Sequence, residues 1–114
     1  MLGLAASAAQ AAESAAVQGI AGVMMQLQHV PTEAAKQTLA KIADDSSASA
    51  DERTLARALG NFQHAVSAGD RPALEAIVAD AKASASAKTL AGIMLGMHHF
   101  PSDADKAKLA AMTQ

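Results

Sequence analysis

Four histidines are the side chains of this chain best suited to chemistry near neutral pH, and three of them fall at a fixed interval. His29, His64 and His99 stand 35 residues apart, with His98 beside the last. Imidazole is a base, a proton carrier and a metal ligand, so such a row could act as a pH switch. Adding four protons to the formal charge of −2 gives about +2 as pH falls through roughly 6.5. Read as the last turn of three neighbouring helices, the row lies opposite the apolar stripe. Its members are then separated by the packing distance of helices, about 8–10 Å. Imidazoles that far apart share no zinc ion, whose bonds to nitrogen are about 2.0–2.1 Å. The expected metal content is therefore none. The alternative is a soft haem or copper site at Met94, Met97 and His98, which lie within one helical turn. Against it, Met24 and Met94 correspond in register to Leu59, and Met97 corresponds to Leu27 and Phe62, as core positions would.

Other reaction centres are missing. The chain has no Cys, which removes disulfides, thiolate metal sites and thiol nucleophiles. It has no GxSxG, HExxH or phosphate-loop pattern. Its acidic pairs, Asp44-Asp45 and Asp51-Glu52, lie in a polar connector and not in the burial that a carboxylate dyad needs. The expectation is a protein without enzymatic activity or cofactor. The near-neutral charge and scattered Lys and Arg give no footprint for nucleic acid.

The elements that must position the histidines follow from composition and punctuation. Of 114 residues, 51% are hydrophobic but only 2% aromatic, and Ala fills about a quarter of the chain. Ala favours helix, and the β-branched and aromatic residues of sheets are scarce, so the fold is read as all-α. Residues 90–112 realign with 20–42 without a gap, and 55–77 fall midway between them. Ser14/Ser49/Ser84, Ala21/Ala56/Ala91 and Leu39/Leu74/Leu109 join the His column as identities. A period of about 35 in a helical composition reads as three stacked helix-turn-helix units, 14–48, 49–83 and 84–114. Residues 1–13 form a partial copy or capping helix. In each unit Ser caps a first helix that ends after the His, at Val30-Pro31 or Phe100-Pro101. Thr32, Asp70 or Ser102 then caps a shorter second helix. Either an open superhelix or a compact bundle satisfies this pattern. Gly19, Gly22, Gly92 and Gly96, inside the first helices, suggest close approach of another helix.

In the middle unit, Leu59-Gly60-Asn61 and Gly69-Asp70 resemble the landmarks of tetratricopeptide repeats. The spacing departs from that family by about two residues, and Ala56 and Gln63 stand where it carries large aromatics. The resemblance implies a concave surface that binds a partner's peptide or helix. The expected function is accordingly a protein–protein interaction module, or a self-assembling one, using a Leu/Ile/Met groove. Its surface would include Met24, Leu27, His29, Leu59, Phe62, His64, Met94, Met97 and His99. The last helix carries Leu109 and Met112 with no polar cap after it, which favours a homo-oligomer or a partner. The alternative is a haem, metal or apolar-ligand binder using Met and His. No stretch is apolar enough for a membrane span, and the N-terminal region lacks the positive charge of a signal peptide. The expected place is the cytoplasm, or export by another route as in bacterial secretion or effector systems.

Overall fold

A computed structural model describes residues 13–113, so the partial copy assigned to 1–13 lies outside the described residues except for Glu13. Six helices follow in order: α1 Ala15–Met25, α2 Glu33–Asp44, α3 Ala50–Gly60, α4 Arg71–Ala79, α5 Ala85–Gly96 and α6 Asp103–Met112. No strand interrupts them among the described residues, and none is long and apolar enough to cross a membrane.

Serine starts each inner helix for the same physical reason. Ser14, Ser49 and Ser84 are extended, and their hydroxyls accept from the N–H of Val17, Glu52 and Ala87. Each satisfies a donor that the first turn leaves without a helical partner. At Ser49 the Glu52 side chain returns the bond to the Ser49 N–H, completing the capping box that the sequence suggests. Thr32 and Ser102 cap α2 and α6 in the same way. The middle hairpin differs from expectation, because Asp70 makes no side-chain cap. There Ser67, in register with Thr32 and Ser102, accepts from the Asp70 N–H at 3.2 Å and donates to the Asp70 carboxylate at 2.7 Å.

The three first helices form the centre. Ile20 and Met24, Leu55 and Leu59, and Leu90 and Met94 are fully buried, and α1, α3 and α5 all touch one another. The second helices lie outside and bury fewer residues, chiefly Leu39, Leu74 and Ile77, and Leu109 and Met112. Each bridges two inner helices: α2 packs on α1 and α3, α4 on α3 and α5, and α6 on α5 and α1. The contact of α6 with α1 closes the ring. Of the two arrangements compatible with the sequence, the chain takes the compact bundle. The apolar face of α6 is covered by the chain's own α1, so the argument for an oligomer from an uncovered end does not hold.

The inner helices are parallel. Ser14 at the start of α1 donates to Glu52 in the first turn of α3 at 2.7 Å. Ser86 at the start of α5 donates to Glu13 at 2.7 and 2.8 Å. All three N-termini thus share one end of the bundle, and all three C-termini share the other. Close packing explains only one of the four glycines singled out in the sequence. A Cβ on Gly19 would lie 3.1 Å from Ile42 Cδ1, whereas Gly22, Gly92 and Gly96 face open space.

Candidate metal centre

At the C-terminal end of the inner helices, each chain segment is pinned at two buried residues. Leu27, Phe62 and Met97 are buried just after the helices stop, and Pro31, Val66 and Pro101 are buried four residues on. Between these anchors lie Gln28-His29-Val30, Gln63-His64-Ala65 and His98-His99-Phe100. Each triplet must turn back within three residues, and antiparallel bridges pair its first and third members. In two of them the reversal is closed by an i to i+2 hydrogen bond, Val30 N–H to Gln28 C=O and Phe100 N–H to His98 C=O, both 2.7 Å.

The histidines therefore stand beyond their helices, not in the last turns. The helices end at Met25, Gly60 and Gly96. The reversal places each His at positive φ, 67°, 66° and 67° for His29, His64 and His99, the only described non-glycine residues there. His visits that region several-fold more often than most residues, yet such a conformation costs on the order of 1–3 kcal/mol and persists only where its surroundings impose it. Here the surroundings are the other two reversals. The His29 N–H donates to His99 C=O at 2.6 Å, His64 N–H to His29 C=O at 2.7 Å, and His99 N–H to His64 C=O at 2.6 Å. Each His donates once and accepts once, so the three backbones close a cycle.

That cycle points the side chains at one another. Ring centroids are 4.9–5.2 Å apart with interplanar angles of 59–76°. Nδ1 of His99 lies 3.1 Å from Nδ1 of His29 and 3.1 Å from Nδ1 of His64. The three ligand atoms lie within 4.8 Å of one another, on exposed residues. The 8–10 Å separation expected from stacked helices is thus corrected. In a closed ring, equivalent turns converge on a common point, whereas in an open stack they succeed one another along its length.

Electrostatics disfavours the charged form of His99. Loss of water around the crowded ring, and then the charges of His29, His64 and His98, hold His99 below the ordinary imidazole range. A neutral imidazole exposes a lone pair on one ring nitrogen and a proton on the other. Nitrogens 3.1 Å apart suit either a ring N–H donated to a neighbouring lone pair or lone pairs shared with a cation. With metal–nitrogen bonds of about 2.0–2.1 Å, donors 3.1 Å apart subtend about 95–102° at the ion. That angle lies between the octahedral and tetrahedral values. No carboxylate joins the cluster among the described residues.

The other residues singled out by sequence fall elsewhere. Met24, Leu27, Leu59, Phe62, Met94 and Met97 are buried in the interior, so the apolar groove expected of them is filled by the chain itself. Met94 and Met97 are part of that core while His98 is exposed, which separates the members of the alternative soft site. The sequence carries one signal for the triad: a His between a buried apolar residue two before and another two after, in each unit. No family model, curated protein or solved structure matches this chain.

Proposed function

We propose that the protein binds a divalent transition-metal ion, best zinc, at His29, His64 and His99. The observation that carries this reading is the convergence of Nδ1 atoms at 3.1 Å from residues 35 and 70 positions apart. Imidazole nitrogen suits zinc, copper and nickel better than calcium or magnesium, which take oxygen. Zinc tolerates the range between tetrahedral and higher coordination, and three protein ligands leave a position open. The depressed pKa of His99 lessens the competition of protons with an ion at that ligand. The closed backbone cycle supplies the orientation that second-shell hydrogen bonds give to other metal sites.

Isothermal titration of metal-free protein with zinc tests it. The expected result is one ion per chain, with binding weakened at least about tenfold in His99→Asn, since one of three ligands is lost while Asn tolerates positive φ. Equal affinity in wild type and variant would remove the proposal.

A second reading, docking of a protein partner or a second copy, has support in the open groove between α1 and α2, lined by Gly22, Val23, Val30 and Pro31 among others. Light scattering on metal-free protein tests the self-assembling form, and a monomer at high concentration would rule it out.

A further inference from the structure

We infer that the zinc-loaded triad hydrolyses small uncharged carboxylic esters at the exposed end of the bundle, an inference that rests on the metal-binding reading above. Its first support is the donor set. Three neutral nitrogens leave the ion its full double positive charge, and three-ligand zinc sites hold water in the remaining position. Such an ion lowers the pKa of its water to about 7, giving hydroxide near neutral pH.

The second support is access. All three histidines are exposed, so a substrate reaches the ion without displacement of any described element. The third is the set of residues flanking the ligands. Val30 and Phe100 directly follow His29 and His99 and are 44% and 55% exposed, two of the three large hydrophobics left open to solvent. The corresponding residue after His64 is Ala65. The residues that follow the ligands are thus two apolar ones and one small one, and exposed apolar side chains next in sequence to the ligands suit the acyl or aryl part of an ester. Gln28 and Gln63 precede two of the histidines, and the three reversals carry no Lys, Arg, Asp or Glu that would favour a charged substrate.

The reaction balances as ester plus water to acid plus alcohol, with no redox change. The bound water releases a proton to solvent. Its oxygen then forms a bond to the carbonyl carbon held beside the ion, and the bond from that carbon to the alkoxy oxygen breaks. The departing alkoxide takes a proton from solvent, the new acid gives up its own proton to solvent, and a new water displaces the resulting carboxylate.

Hydrolysis of p-nitrophenyl acetate and butyrate, followed by absorbance with one equivalent of zinc, tests the inference. The expected rate exceeds that of metal-free protein plus the same free zinc by at least about tenfold, and chelator removes the excess. Phe100→Ala, at an exposed position, is expected to lower kcat/KM for butyrate about three- to tenfold, more than for acetate, with zinc affinity unchanged. Zinc bound one to one without acceleration would overturn the hydrolytic inference and leave the metal-binding reading standing. Failure to bind zinc at all would overturn both. Acceleration insensitive to chelator would assign the rate to free imidazole, and that too would overturn it.

Discussion

Nδ1 of His29 lies 3.1 Å from Nδ1 of His99, although 70 residues of chain separate them. Their backbones are joined as well, by the 2.6 Å bond from His29 N–H to His99 C=O. The same two segments are therefore where the ring of helices closes at this end, since α6 follows His99 and packs on α1. Any change at the triad therefore acts on the closure of the fold as well.

The metal-free protein is expected to lose stability in mild acid. His99 is held below the ordinary imidazole value by desolvation and by His29, His64 and His98. Between its folded and unfolded values the unfolded chain binds the extra proton, so stability rises with pH across that interval. The contribution is complete above the unfolded value of about 6.5 and is lost as pH falls through it toward the folded one. Urea midpoints at pH 7.5 and pH 5.0 should therefore differ, and His99→Asn should shrink the difference. Identical slopes in both proteins would show that His99 carries none of it.

The positive φ of His64, 66°, sets the order of two substitutions. His64→Ala and His64→Gly both remove the imidazole, but Ala carries a Cβ into the left-handed region, where it is disfavoured by about 1–2 kcal/mol. Gly enters freely, at an entropic cost in the folded state. The Gly variant is expected to be the more stable by about 1 kcal/mol in metal-free denaturation. The reverse order would mean that the reversal relaxes once the imidazole is gone.

The helices are legible in the residue types because their signals are local. A capping Ser, an apolar residue every three or four positions and a Pro near the end each act within one turn of chain. The histidine triad depends on closure, and no local signal distinguishes a ring from an open stack of the same hairpins. The His column was visible as a column; that its members meet depends on α6 finding α1. Likewise Asp70 looks like a cap because of its residue type, while register with Thr32 and Ser102 points to Ser67, whose hydroxyl binds Asp70 instead.

Methionine in the centre is packing. Met24 and Met94 are fully buried at places that correspond to fully buried Leu59. Leu59→Met conserves volume and is expected to cost less than about 1.5 kcal/mol. Leu59→Ala leaves a cavity and should cost about 2–5 kcal/mol. Met94→Leu is expected to leave zinc affinity unchanged, and a measured loss would bring the thioether back as a ligand.

The open glycines offer a gain. Nothing lies within 4 Å of a Cβ built on Gly22 or Gly92, both inside helices. Gly→Ala at each should stabilise the protein by about 0.5–1 kcal/mol through lower backbone entropy of the unfolded chain. Gly19→Ala should gain less, because its Cβ would meet Ile42 Cδ1 at 3.1 Å. Thermal denaturation of the three variants gives the ranking directly, and a destabilised Gly22→Ala would indicate that another chain packs on that face.

Zinc should stabilise the closed fold more than any of these changes. The triad assembles its donors from three separate turns, so the unfolded chain offers no such site. Binding to the folded state alone contributes RT ln(1 + [L]/Kd), about 2.7 kcal/mol at one hundred times Kd. The thermal midpoint is expected to climb with zinc concentration and keep climbing after the site is saturated, which separates mass action from simple charge screening. Magnesium, which prefers oxygen, should not reproduce the shift. His29→Asn and His99→Asn should each abolish most of it, and their effects should not add, because removing either already leaves an incomplete set of two donors. Additive losses would mean that each His acts alone, and the triad would then be a crossing of side chains without a shared ion.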